Sequence, residues 1–291
     1  MTLQRPEDQG DERRKRIVEY YDSCEVDYRT NWHLDECLAM HIGHWDETTK
    51  TLAEALVRQN EVMRIKGKIT EADLVLDAGC GVGGSSIYLA RRSGCKVVGI
   101  TLSHKQARSA RRLAEEREVH GLTAFQVMDF SSTGFADESF DVVWALESSC
   151  YAPCKKTFIR EAYRILKKGG RLLVADGFEI KDSYTPFERR IFDLWVKKWA
   201  VDTLESLAVF RAHLHETGFV NIDYEDITEN VTPSSRRLFG LAIIAWPLAQ
   251  LAEIMGKRSK IQNDNLLGAF FQYLVLKFSL GNYGIFYAEK K

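Results

Sequence analysis

The apolar positions of this 291-residue chain change their period along its length. Up to about residue 70 the spacing is helical: Leu52, Ala55, Leu56, Gln59 and Met63 share one face of a helix predicted over 49–66, with shorter helices expected over 12–21 and 35–40. From 73 to 176 short continuous apolar runs alternate with helical stretches, which predicts strands at 73–77, 96–100, 123–128, 140–145 and 171–176. Continuous runs suit strands buried on both faces, so this region reads as an α/β fold with a doubly wound, mostly parallel sheet. Ligands of such a sheet lie at the carboxyl ends of its strands. Helices over 186–200 and 204–216 and strands at 219–225 and 283–289 follow.

Residues 228–281 are too long for a hairpin loop and carry their own helical pattern, which marks an insertion. Its most apolar part, Leu238 to Ala249, contains Pro247 and is followed by Gln250 and Glu253, so the run is expected to break at the proline and not to span a membrane. The expected organisation is a helical cap over 1–70, a core over 71–227, a substrate-covering helical insertion over 228–281 and a last core strand over 282–291.

Composition narrows the function classes. Hydrophobic residues make up 45% of the chain, enough to fill a sizeable core, and the net charge of −1 gives no global field for nucleic acid. The basic run Arg13 to Arg16 follows Glu7, Asp8, Asp11 and Glu12 and reads as a solvated helix start. Six cysteines without a secretory leader or Cys-x-x-Cys spacing read as reduced thiols of a cytoplasmic protein, and no ligand set for a metal is expected.

The densest chemistry lies between Val75 and Ala90, where a strand end runs through Asp77 into a glycine-rich turn and a helix start. Gly79, Gly81 and Gly84 fit Gly-x-Gly-x-x-Gly, and Gly83 adds Gly-x-Gly-x-Gly. Such a turn lets the backbone approach a ligand closely, but alone it names no particular cofactor.

Asp77-Ala-Gly-Cys-Gly-Val-Gly-Gly84 resembles the cofactor motif of the S-adenosylmethionine-dependent methyltransferases, and further elements follow in that family's order over about a hundred residues. The resemblance implies a seven-stranded Rossmann-like sheet, S-adenosylmethionine as cofactor and a cofactor site of Asp77, Gly79, Gly81, Thr101, Leu102, Gln106, Met128, Asp129 and Phe130. Asp129 stands where the family's acid holds the adenine amino group. Thr101-Leu-Ser103 with Gln106 replaces the usual ribose-binding acid, a departure that resembles the cyclopropane-lipid synthases and the sterol and tocopherol methyltransferases. A dehydrogenase would want an acid or Arg where Thr101 stands.

Glu147-Ser-Ser-Cys-Tyr-Ala-Pro153 resembles a segment of the sterol enzymes, with Tyr151 in place of a His. Tyr20-Tyr-Asp22, Trp32 and Ala39 to Asp46 resemble the amino-terminal segment of tocopherol methyltransferases. These likenesses imply His41 and Gly43 at the cofactor's methionine end, His44 and Trp45 near the acceptor, and Glu147, Tyr151 and His44 as catalytic residues. Each also has a structural alternative: a capping carboxylate, a packing ring, a histidine bonded within the cap. Trp32, Trp45, Trp144, Trp195, Trp199 and Trp246 are candidates for an aromatic cage around a cation. Arg189, Arg190, Lys197, Lys198, Arg236 and Arg237 are candidates for holding a diphosphate.

The expectation is methyl transfer to a lipophilic small molecule, favouring carbon of an isoprenoid or sterol-like substrate. N- or O-methylation of another lipophile, and an inactive lipid-binding homologue, stay open. So do a transient membrane contact and self-association.

Overall fold

A computed structural model describes residues 6–291; residues 1–5 of the expected cap lie outside them. Seven strands form one sheet: β1 (Leu74–Ala78), β2 (Lys96–Thr101), β3 (Thr123–Val127), β4 (Phe140–Leu146), β5 (Leu166–Glu179), β6 (Phe219–Asp226) and β7 (Gly281–Lys290). Their order is β3-β2-β1-β4-β5-β7-β6, and only β7 runs antiparallel to its neighbours. Chain direction across the sheet reverses between β1 and β4, which opens a crevice beyond their carboxyl ends. This is the doubly wound architecture expected, and β5 is the strand that most exceeds its expected length.

The sheet is apolar on both faces because both are covered. Val75, Val97, Val142 and Leu173 pack in one layer, and Leu76, Ile100, Val143 and Leu172 in the other. Helices α4 (Gly84–Ser93), α5 (His104–Glu116), α6 (Lys155–Ile165) and α8 (Leu207–Thr217) flank it. Ser103 caps α5 by accepting from the Gln106 amide at 3.1 Å, which fixes the turn after β2.

The remaining helices are α1 (Pro6–Asn31), α2 (Leu34–Cys37), α3 (Leu52–Lys66), α7 (Pro186–Lys198), α9 (Thr228–Ile254) and α10 (Lys260–Lys277). Of these, α3 packs beside α4 through Glu61 and Tyr88 and sends Met63 into the layer with Val75 and Leu173, while α1, α7, α9 and α10 bring residues to a cavity beyond the carboxyl ends. Helix α1 runs well past the expected 12–21, because its second half is fastened to distant parts of the chain. Ser103 Oγ donates to Asp22 (2.8 Å), Tyr20 donates to Asn265 (2.7 Å), and Arg258 makes a two-pronged pair with Asp27 (2.7 and 2.8 Å). Helix α9 also departs from expectation, continuing through Pro233 and Pro247. A proline leaves the carbonyl four residues earlier without its helical donor. Here those residues are Glu229 and Ile243, both exposed, so water can serve instead.

Candidate functional site

The carboxyl end of β1 carries a cleft whose floor is a glycine-rich turn. Asp77, 2% exposed, accepts from Ser86 Oγ at 2.6 Å, and burial pushes its carboxyl up to about 6. Gly79 (φ +92°) and Gly81 (φ +53°) turn the chain through left-handed conformations. A Cβ at Gly79 would stand 2.4 Å from that of Ser148, whereas one at Gly81 would meet only the Met40 sulfur, at 3.4 Å. Beyond β2, Thr101 Oγ1 donates to Gln106 Oε1 (2.7 Å) and accepts from the Ser103 amide (3.2 Å). Leu102, Met128 and Phe130 complete the wall. Asp129 does not line this cleft; its carboxylate accepts from Arg14 of α1 (3.0 Å) and from the Ser131 amide (2.8 Å).

A second cavity of about 380 Å³ lies beside the cleft, and the two share the side chains of Tyr21, Met40, His41, Glu147 and Tyr151. Its far walls come from α7 (Trp195, Val196), α9 (Leu241, Ala245) and α10 (Ala269, Gln272). Eight aromatic residues line it, including Trp32, Trp195, Trp199, Tyr28 and Tyr283. Among the described residues its formally charged side chains are Asp27, Glu147, Asp176 and Arg258, of which Asp27 and Arg258 neutralise each other.

Glu147 is the hinge of the shared wall. It follows β4 with φ +51°, a left-handed conformation that costs a residue with a Cβ on the order of 1 kcal/mol. Its amide donates to the Ala175 carbonyl (2.8 Å). Its Oε1 accepts from the Ile42 amide (2.7 Å) and the Tyr283 hydroxyl (2.8 Å), leaving Oε2 without a donor among the described residues. Burial outweighs these two bonds and pushes the carboxyl up to about 7. Tyr151 accepts from the Tyr21 hydroxyl (3.1 Å) and donates to the Trp199 carbonyl (2.9 Å).

His41 borders both cavities, yet both of its ring nitrogens are engaged: Nδ1 donates to the Ile42 carbonyl (3.0 Å) and Nε2 accepts from Asn60 (3.1 Å). Burial lowers its pKa to about 4, so the ring is neutral near pH 7. It fixes the backbone whose next amide holds Glu147.

The expected roles of Gly43, His44 and Trp45 are corrected, since none borders either cavity. A Cβ at Gly43 would stand 2.8 Å from that of Ala55, so this glycine lets the segment pack on α3. The His44 amide donates to the Ala55 carbonyl (2.9 Å), and Trp45 Nε1 donates to Ser234 Oγ (2.8 Å) on α9. These residues anchor the cap to the insertion. The basic candidates also lie elsewhere: Arg189 pairs with Glu179, Lys197 with Asp193 and Lys198 with Asp264, and these three share a surface groove with the exposed Arg190, while Arg236 and Arg237 are exposed on α9. Of the six tryptophans, Trp32, Trp195 and Trp199 reach the cavity.

Three site features were not anticipated. Asp176, at the carboxyl end of β5, accepts from Ser149 Oγ (2.7 Å) and the Cys150 amide (2.8 Å) and lines the cavity, its carboxyl raised by burial. The strand-end rule that marked Asp77 and Glu147 applies to it equally. Lys155, 6% exposed, donates to the carbonyls of Cys150 (2.9 Å), Ala152 (3.0 Å) and Thr203 (2.9 Å) and so holds the turn carrying Tyr151. Tyr283, on the last strand, carried no sequence signal.

Comparison with known proteins gives a consistent picture. Residues 76–174 match the family description "Methyltransferase domain". The 27-O-demethylrifamycin SV methyltransferase of Amycolatopsis mediterranei is 34% identical over 190 residues, covering 65% of this chain and 70% of that one. The chloroplastic tocopherol O-methyltransferase of Arabidopsis thaliana is 33% identical over 197 residues, covering 62% and 56%. Among solved structures, geranyl diphosphate C-methyltransferase of Streptomyces coelicolor, in complex with Mg2+, geranyl diphosphate and S-adenosyl-L-homocysteine, superposes with a TM-score of 0.73 at 20% identity, covering 96% and 98%.

Proposed function

The chain belongs to the S-adenosylmethionine-dependent methyltransferases, and from that premise we propose that it methylates a neutral lipophilic small molecule, at carbon of an isoprenoid or sterol-like acceptor. The cleft suits the cofactor. Leu102, Met128 and Phe130 offer apolar contact to a flat heterocycle, Thr101 and Gln106 offer polar contact to a sugar, and the glycine turn presents backbone instead of side chains. Bound S-adenosylmethionine supplies an electrophilic methyl group on a sulfonium.

The observation that carries the reading is the shared wall. The five side chains that close one end of the cofactor cleft also form one end of an aromatic cavity, so an acceptor there lies against the methyl donor. Alignment of two reactants and exclusion of water are the main demands of such a transfer. The cavity's aromatic rings stabilise positive charge that develops on an alkene attacking the methyl group. Glu147 Oε2 takes the proton the methylated acceptor releases. With a pKa of about 7, Glu147 is basic enough to accept it and is substantially ionised at neutral pH.

A prenyl diphosphate suits the cavity poorly, because the one basic side chain that lines it among the described residues, Arg258, is committed to Asp27. This distinguishes the acceptor proposed here from the one named for the Streptomyces protein. The test is incubation with methyl-labelled S-adenosylmethionine and three acceptor panels: neutral sterols and isoprenoid alkenes, prenyl diphosphates, and lipophilic amines and phenols. Label on carbon of a neutral acceptor supports the proposal. Turnover of diphosphates, or label only on nitrogen or oxygen, overturns it, and cofactor binding without turnover on any panel favours an inactive lipid binder.

A further inference from the structure

Helix α9 has two apolar faces. Its inner face lines the cavity through Leu238, Leu241, Ala245 and Ala249, and is tied to the rest of the protein through Ser234, whose hydroxyl donates to the Gly43 carbonyl (3.1 Å) and accepts from Trp45. Its outer face carries Ile243, Ile244, Leu248, Leu251 and Ile254, exposed by 52, 78, 72, 53 and 82%. At about 100° per residue these side chains, with Met255 just beyond the helix, fall within an arc of about 140°. Several adjacent large apolar side chains more than half exposed are not ordinary surface.

Charge identifies what covers them. Arg236 and Arg237 lie at one end of the same arc, and Lys257 and Lys260 follow its other end, all four exposed. Between Arg236 and Met255 the helix has a single acid, Glu253, which lies off the arc and accepts from Asn263. Two copies packed through this face would bring like charges together in either direction, whereas an anionic lipid surface complements both ends. The helix is long and apolar enough to cross a bilayer by length and composition. Spanning would strip the inner face from the cavity and from Trp45, so the compatible arrangement is a helix lying in the surface.

We propose that the outer face of α9 docks the protein on an anionic membrane and seats the mouth of the acceptor cavity on the bilayer. Leu248 joins the two features, since it lines the cavity and is 72% exposed on the docking face. The docking itself stands on the exposed face and its charges; only its purpose, delivery of the acceptor from the bilayer, rests on the lipophilic-acceptor reading.

The test floats the full chain with vesicles of phosphatidylcholine alone and of phosphatidylcholine with phosphatidylserine, without any acceptor. The protein is expected to rise with the mixed vesicles, and the double substitution Ile244→Asp, Ile254→Asp to cut the bound fraction by about tenfold or more. Arg236→Glu with Arg237→Glu should weaken binding to the mixed vesicles, bringing it closer to the level seen on phosphatidylcholine alone. Calorimetric binding of S-adenosylhomocysteine, unchanged in every variant, shows that the fold survives. No flotation, or equal flotation of the wild type and the Ile244/Ile254 variant, overturns the proposal. So does a dimer in sedimentation equilibrium that this double substitution dissociates in the absence of vesicle binding, because the face then belongs to a second copy. Docking without turnover of neutral lipids leaves the surface standing and removes the acceptor reading.

Discussion

The cofactor cleft and the acceptor cavity meet at one wall but are built in opposite ways. The floor of the cleft is made by four strand ends and the short turns that follow them, at residues 77–85, 101–106, 128–130 and 146–148, with α1 and the segment 38–41 laid over it, and the shape of that floor comes from glycine conformations and local hydrogen bonds. The cavity is assembled by side chains from across the chain, from Tyr20 to Tyr283. A floor made of a glycine turn tolerates little change at its glycines, whereas a cavity made of side chains can be reshaped one residue at a time while the floor stays in place. The family's diversity of acceptors on one cofactor follows from that asymmetry.

Four substitutions break or sharpen the contrast. The largest effect belongs to Gly79→Val, which forces a β-branched residue into φ +92° against Ser148. S-adenosylhomocysteine binding is expected to disappear in calorimetry while the circular dichroism of the fold persists. Next, Glu147→Gln keeps the shape of the shared wall and removes its base, so kcat should fall roughly 100- to 1,000-fold with cofactor affinity little changed. The wild-type rate should climb as pH rises through about 7, where the carboxyl ionises, and then level off, and the variant should lack that step. Ala245→Phe puts a ring into the cavity from α9, which should lower kcat/KM for the acceptor about tenfold and leave cofactor binding alone. Smallest, Ser234→Ala unties the cap from the insertion, at a cost of about 1–3 kcal/mol in chemical denaturation and a modest rise in acceptor KM. A parallel loss of cofactor affinity in the last two would mean that cleft and cavity are not separable.

The same asymmetry governs what was legible in the sequence. Gly79, Gly81, Thr101 and Glu147 stand at or just past strand ends and Gln106 in the first turn of α5, and the resemblance that marked them runs through these short local segments, so their neighbourhood could be found without the fold. Asp77 and Asp176 obey the same strand-end rule, though only the first was placed at the site in advance. The sheet was legible for a related reason, since burial on both faces leaves an unbroken apolar run. The cavity was not, because contacts such as Tyr283 with Glu147 or Trp45 with Ser234 join residues more than a hundred positions apart. From the segment 39–46 that the resemblance marked, Met40, His41 and Ile42 line the cavities, and which of its side chains face inward depends on Gly43 packing on Ala55, a tertiary contact. The exposed face of α9 was hidden for the opposite reason: an apolar helix reads as core, and nothing in its own sequence says which face lacks a neighbour.

The left-handed backbone at Glu147 has one more consequence. That position combines an unfavourable φ with a buried carboxyl whose pKa rises from about 4.5 in the unfolded chain to about 7 in the fold. Because the fold holds its proton longer than the unfolded chain does, stability falls as pH increases from 4.5 to 7 and stays reduced above, by roughly 3 kcal/mol in all. Glutamine does not titrate, so melting of Glu147→Gln should gain on the wild type progressively over that range. If Glu147 is the base proposed above, the protein carries a stability–activity trade-off concentrated in a single residue: selection for robustness alone would remove a carboxylate held in this strained, dehydrated setting.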